Sequence, residues 1–231
     1  MPDATSPPQL SVIVPALNEA AGIVSCLQPL QPLRACGHEV IVVDGGSEDA
    51  TMPLAEPLAD RVLTTGRGRA RQMNTGARSA RGDVLLFLHA DTLLPPEADR
   101  RVLEGLARSD RGWGRFDLRL TGRHLLLRLT ARLINLRSRL TGIATGDQAI
   151  FVRRDWFEEA GGFPEIPLME DLALSRALKR RGRPLCLRER VTTSSRRWEE
   201  RGILRTILLM WRLRLAYYRG ADPHDLARRY R

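Results

Sequence analysis

The stretch DVLLFLHADT, residues 83–92, decides how the rest of the chain is read. Val84–Leu88 is a short apolar run between polar residues, which predicts a strand buried on both faces. Such strands belong to parallel sheets, and in open α/β folds ligands sit at their carboxyl ends. This run ends on His89 and Asp91, alternate residues whose side chains would point the same way from a strand tip. By itself the tripeptide reads more simply as a polar strand end and turn ahead of Pro95 and Pro96. The rest of the chain has to choose between the two.

Working outward, earlier strands are predicted at Leu10–Val14, Val40–Val43 and Val62–Thr64. Helical spacing separates them at Ala20–Leu33, Ala50–Leu58 and Ala70–Ala80. Strand and helix alternate, as in a parallel sheet with crossover helices. Beyond the opening stretch the pattern is less regular. It predicts a strand at Trp113–Leu120, a helix at Leu125–Leu140 and a strand at Asp147–Val152, then a helix at Asp171–Arg181 and a short strand at Pro184–Leu187. The expected fold class is α/β, a Rossmann-like and mostly parallel sheet flanked by helices. It would form one domain over residues 1–200, followed by a basic amphipathic helical tail over 201–231.

Composition sets the limits. The 231 residues are 43% apolar, enough for a real core. The start, MPDATSPPQ, has neither a basic nor an apolar leader region, so no secretion signal is expected. No apolar run approaches the roughly 18 to 20 residues of a membrane-spanning helix. Cys26, Cys36 and Cys186 are odd in number and lack CxxC spacing, so a disulfide frame or zinc site is not expected. A cytoplasmic protein follows. The net charge of +10 is carried almost wholly by arginine, Lys179 being the sole lysine. It suits nucleic acid, an anionic membrane or a phosphate-bearing substrate. A nucleic-acid module is disfavoured: aromatics are only 5% of residues and no zinc or recognition-helix pattern occurs.

The strand ends hold the remaining polar signals. The first runs into Pro15-Ala16-Leu17-Asn18-Glu19 and the second into Asp44-Gly45-Gly46-Ser47-Glu48-Asp49. The Asp44 carboxylate can accept hydrogen bonds from a base or ribose, and the glycines allow close backbone approach. A Gly-rich turn with Ser47 or Asp49 as a helix cap explains the same residues. The dinucleotide fingerprint GxGxxG is absent after the first strand. Arg67, Arg69 and Arg71 in GRGRARQMN, residues 66–74, make an anion site at a helix start.

In this order PALNE, VVDGGSEDAT, GRGRARQMN and LLFLHADT resemble the inverting family 2 glycosyltransferases of GT-A fold. TGDQAIFVRR (145–154), GGF (161–163) and MED (169–171) extend the resemblance to roughly residues 10–200. It looks closest to a small bacterial subgroup labelled as arsenosugar-pathway transferases. The resemblance implies a nucleotide-diphosphate sugar as donor, a UDP-sugar first and a GDP-sugar second, and an acceptor alcohol. Pro15, Asn18, Glu19 and Asp44 would line the nucleoside pocket, with Arg71 and Asn74 near the nucleotide. The family's Asp-x-Asp motif, which binds a divalent cation (Mn²⁺ or Mg²⁺) and the diphosphate, reads here as His89-Ala90-Asp91. Asp91 keeps the hard oxygen ligand, and histidine at the first position would favour Mn²⁺. The catalytic base matches Asp171, with Glu170 beside it. Gly146, Asp147 and Gln148 fall in the acceptor region. Arg197 and Trp198, in SSRRW, match the end of the QxxRW motif of larger processive members, with Ser194 in place of Gln. A sugar-nucleotide-forming nucleotidyltransferase would instead need a Gly- and Arg-rich loop where PALNE stands.

Two helices carry apolar stripes with arginine borders. Leu204, Leu208, Trp211, Leu215 and Tyr218 form one, edged by Arg205, Arg212 and Arg219. Leu126, Leu129, Leu133, Leu136 and Leu140 form the other, with Arg128, Arg132 and Arg139 opposite. Such helices can lie on anionic membranes, which would put a lipid-linked acceptor within reach and the protein on the membrane's inner face. Core packing or a dimer contact explains them equally.

Overall fold

The computed structural model describes residues 9–230. Residues 1–8, most of the stretch read for a secretion signal, lie outside them. The first half builds β1 (Leu10–Ala16), α1 (Ile23–Leu27), α2 (Gln31–Ala35), β2 (Glu39–Asp44), α3 (Thr51–Ala55), β3 (Arg61–Thr64), α4 (Arg69–Ser79) and β4 (Val84–Phe87). Next come β5 (Thr92–Leu93), α5 (Ala98–Ala107), β6 (Trp113–Leu120), α6 (Leu125–Thr141), β7 (Phe151–Arg153) and α7 (Arg154–Glu159). The chain then forms α8 (Glu170–Arg181), β8 (Leu185–Thr193), α9 (Arg196–Arg201), α10 (Ile203–Tyr218) and α11 (Pro223–Tyr230).

The strands form one sheet in the order β3-β2-β1-β4-β7-β6-β8-β5. Pairing is parallel from β3 to β4 and again between β6 and β8. Antiparallel β7 joins the two parallel parts. Successive side chains of a strand face opposite ways. Val12 and Val14 therefore enter one core with Val40, Val42 and Leu86, where Ile23, Leu27, Val102 and Leu127 cover them. Ile13 enters the other with Ile41, Val43, Leu85 and Phe87, under Met73, Phe157 and Leu174. Each such side chain, fully buried, contributes about 1.5–3 kcal/mol. A third, smaller core joins Leu213 and Leu226 of α10 and α11 to Ile143, Leu168, Met169 and Leu172 at the start of α8.

The structure corrects several expected elements. The helix expected at Ala20–Leu33 is broken: Pro29 and Pro32 each open a new short helix, since proline fits only a first turn. The strand expected at Asp147–Val152 starts only at Phe151, because Gly146–Gln148 form a 3₁₀ turn and Ala149 takes a left-handed backbone. The short strand at Pro184–Leu187 runs on to Thr193, paired along β6 with a register shift at Phe116/Asp117. On α6 the outer stripe starts at Leu125, not Leu126, and Arg128, Arg132 and Arg139 border it rather than oppose it. No helix among the described residues is long and apolar enough to cross a membrane.

Candidate active site

Strand order reverses at β1, where the chain leaves toward β2 on one side and returns as β4 on the other. The crevice at the carboxyl ends of such strands is the binding position of open α/β sheets. Its first wall is a pair of loops tied together. The Asp44 carboxylate accepts from the Gly46 and Ser47 N–H groups, both at 2.8 Å, and from the Ser47 hydroxyl. Gly46 meets this turn with φ of 90°, a conformation open to glycine. Across from it, the Asn18 N–H donates to Ser47 Oγ and Asn18 Oδ1 accepts from Glu48 N–H, both at 2.8 Å. Asp49 accepts from the Ala20 and Thr51 N–H groups. The turn-forming explanation of DGGSED is therefore realised here. Asp44 is buried, at 1% exposure, and its carboxylate is engaged mainly in holding this turn. Pro15 is buried in β1. Gln72 donates to Ala16 O and Val43 O, fastening both strand ends to α4.

The second wall is a cavity of about 890 Å³. His89, Asp91, Gly146, Asp147, Glu170, Asp171, Arg197 and Trp198 all line it, although they are spread over more than a hundred positions of sequence. β4 ends at Phe87, so His89 and Asp91 leave a turn rather than a strand tip, yet both reach this cavity. SSRRW arrives beside them because the Ser194 N–H donates to Asp91 O at 3.1 Å. Arg197 is laid over the Tyr230 ring, 3.8 Å from its centroid.

Asp171 sits in the first turn of α8, where a carboxylate complements the helix dipole. Its Oδ2 accepts from Gly146 N–H at 2.8 Å and its Oδ1 from Leu172 N–H at 2.7 Å. Burial raises its pKa above the usual carboxylate range, with these hydrogen bonds and Arg214 pulling the other way. Glu170 is pushed up to about 7, by burial first and the neighbouring Asp171 charge second, while Arg69 at 3.7 Å opposes both. Glu19 is also raised, by burial and then by the charge of Asp91, although it does not line the cavity.

Other expected residues fall elsewhere. Arg71 pairs with Glu165 at 3.2 Å near the surface, and it is Arg69 of the same GRGRAR segment that lines the cavity. The Asn74 amide holds the GGF loop, accepting from Phe163 N–H at 2.9 Å and donating to Phe163 O at 2.7 Å. Gln148 is buried and closes a capping box with Thr145. Arg69 was expected only as one of three arginines of an anion site, whereas sequence reasoning missed Arg214, which lines the cavity, and Arg137 behind it. Buried nitrogens of Arg137 and Arg214, and Oδ1 of Asp147, have no hydrogen-bond partner. Only the fold brings these residues together, so no local motif announces them.

The donor set suits a divalent cation. Burial, then the charge of Arg69, lowers the His89 pKa to about 3, so its imidazole is neutral. Its buried Nε2 has no hydrogen-bond partner, an arrangement that is costly without a ligand. Asp91 is exposed and presents carboxylate oxygens to the same cavity. One nitrogen and one oxygen donor are two of the ligands a divalent cation needs, with water and phosphate oxygens left to complete the shell. Among the described residues no third His, Cys, Asp or Glu joins them.

Residues 11–159 match the Glycosyl transferase family 2 model. The chain belongs to that family. A mannosyltransferase, PcManGT from Pyrobaculum calidifontis, solved with GDP-Man and Mn²⁺, superposes with a TM-score of 0.64 at 25% identity, over 94% of this chain and 63% of that one. S. aureus TarS 1–349, solved with UDP-GlcNAc, gives 0.65 at 19% identity, over 80% and 58%. The sheet flanked by helices is thus the GT-A arrangement of these structures. An undecaprenyl-phosphate 4-deoxy-4-formamido-L-arabinose transferase of Pseudomonas paraeruginosa is 28% identical over 168 residues, 62% of this chain and 46% of the relative. The chain spans between 33% and 46% of the length of the curated relatives it matches first.

Proposed function

We propose that the protein is an inverting glycosyltransferase that moves a sugar from a nucleotide-diphosphate donor to an acceptor hydroxyl, with Asp171 as general base. One observation carries this reading. The Asp171 carboxylate is held by two backbone N–H groups in the cavity that also contains Asp91 and His89. As the acceptor oxygen attacks the anomeric carbon, its proton passes to Asp171. The carbon–oxygen bond to the diphosphate breaks with its electron pair leaving on the nucleotide. A positioned carboxylate base contributes about 10²–10⁴-fold. Asp91 and His89 would hold a divalent cation, Mn²⁺ before Mg²⁺, whose charge would offset that gathering on the leaving group. Glu170, with its pKa pushed up to about 7, is only partly ionised near neutrality and so repels an anionic substrate less than an ordinary carboxylate would.

Pro15, Asn18, Glu19 and Asp44 take the nucleoside, with Arg71 and Asn74 on its outer side. Arg69, Arg197 and Trp198 face the diphosphate, while Gly146, Asp147 and Gln148 shape the acceptor end. A UDP-sugar is the first donor to test and a GDP-sugar the second, as TarS and PcManGT were solved with one of each. Membership of the arsenosugar-labelled subgroup rests on the sequence resemblance alone.

The test is a thermal-shift panel of UDP, GDP, CDP and dTDP, with and without Mn²⁺, on the native protein and Asp91→Ala. Ligand at a hundredfold excess over Kd adds about 2.7 kcal/mol of stability. One nucleotide is expected to raise Tm in a Mn²⁺-dependent way that Asp91→Ala abolishes. Asp171→Asn should keep that shift and lose about 10²–10⁴-fold in kcat on the donor so identified. No shift with any nucleotide removes the proposal.

A further inference from the structure

The outward faces of α6 and α10 are apolar where solvent should favour polar residues. At about 100° per residue, Leu125, Leu129, Leu133, Leu136 and Leu140 fall on one side of α6, opposite the buried Leu127, Ala131 and Ser138. They are 49–75% exposed. On α10, Leu204, Leu208, Trp211, Leu215 and Tyr218 likewise oppose the buried Thr206 and Leu213, and are 50–69% exposed. Both helices already bury their inner faces, so these stripes are surplus to the core. The helices touch, and Arg137 of one lies near Arg214 of the other. Ten large exposed apolar side chains on two adjoining helices exceed the scattered exposure of an ordinary monomer surface.

Charge identifies what covers them. Neither helix contains Asp or Glu, and exposed Arg128, Arg132, Arg205, Arg212 and Arg219 border the stripes. A second copy seated on this face would set these arginines against their equivalents with no carboxylate between. Nucleic acid would meet leucine where it needs cations. An anionic bilayer satisfies both features, since its headgroups pair with the arginines and its acyl boundary takes leucine and tryptophan. The face is also continuous with the cavity, because Arg205, Leu208, Trp211 and Arg212 belong to both.

We propose that α6 and α10 seat the protein on an anionic lipid surface, so that the cavity opens at the headgroups and takes an acceptor whose hydrocarbon remains in the membrane. The docking stands on the surface alone. The acceptor clause rests on the glycosyltransferase reading.

The experiment is flotation of the full chain with vesicles of phosphatidylcholine containing about a third phosphatidylglycerol, against phosphatidylcholine alone. The native protein is expected to float with the anionic vesicles, at least about tenfold less with neutral ones, and less as salt rises. Leu129→Glu, Leu133→Glu, Leu204→Glu and Leu215→Glu combined should abolish flotation while keeping the nucleotide-induced Tm rise, since none of the four lines the cavity. A native protein that stays behind with anionic vesicles overturns the proposal. So does a native dimer that the four substitutions dissociate. Flotation without any nucleotide shift would leave the membrane face standing and remove the transferase reading, and the converse would do the reverse.

Discussion

Gly146 joins the two halves of the chemistry at a single α-carbon. Its N–H orients Asp171, and a Cβ built on it would come within 2.5 Å of His89 Nε2. Gly146→Ala must therefore displace the imidazole or the base. Strain of this kind costs about 1–3 kcal/mol in stability, and a small misplacement of a reacting group can cost about 10²-fold in rate. Steady-state kinetics should find the loss in kcat, and an unchanged kcat would mean that the loop relaxes freely. Glu170 supplies a pH test. With a pKa of about 7 instead of 4.5, the folded state holds the proton more tightly than the unfolded chain does. That stabilisation is complete below about pH 4.5 and is lost as pH rises through 7. Glu170→Gln cannot titrate, so its Tm should gain on the native protein between pH 5 and 8 by the equivalent of about 2 kcal/mol. Parallel melting curves across that range would rule out a titrating Glu170. Asp91 and Asp171 were legible because each sits in a short motif at a predicted boundary. Arg137 and Arg214 were not, since arginine is this chain's default basic residue and nothing local separates these two from the rest. Arg69 was legible as one of the three arginines of GRGRAR, but not as the one that lines the cavity.

At the scale of elements, strength of local pattern decided what could be read. β1, β2 and β4 are apolar runs buried on both faces, and their positions followed within two residues. β8 extends through Arg188, Glu189 and Arg190, and only its pairing with β6 makes it a strand. β5 has two residues and exists by virtue of β8. Gly146–Gln148 carries no apolar pattern, so the turn that presents Gly146 to Asp171 was taken for part of a strand. α10 is an element with two duties, its inner face closing the third core and its flank walling the cavity. Leu213, 2% exposed, is the pivot of that packing. Leu213→Ala should cost about 2–5 kcal/mol and lower kcat with it, as the wall loosens. A calorimetric Tm beside a turnover assay checks both. Lost stability with full activity would show that the wall does not position substrate.

For the molecule as a whole, the mostly parallel sheet and the end of it that carries the candidate site followed from alternating strands and helices and from where the polar residues stood, whereas the order of the strands came only with the structure. What the tail does was hidden, because a stripe of leucines reads the same whether it faces a core, a partner or a lipid. The surplus of positive charge also acquires an address: seven arginines, at positions 69, 197, 201, 205, 212, 214 and 229, line one cavity. Composition could say that an anion was wanted but not where. The packing of Tyr230 has a practical bearing. Its ring carries Arg197, and its carbonyl accepts from Arg201 at 3.0 Å, so the end of α11 is fixed at the cavity rim. A purification tag or fluorescent partner fused behind it would emerge in the path of the substrates. Leu10, at the amino end of β1, lies at the opposite end of the parallel strands from that rim, so a partner joined on that side starts away from the entrance.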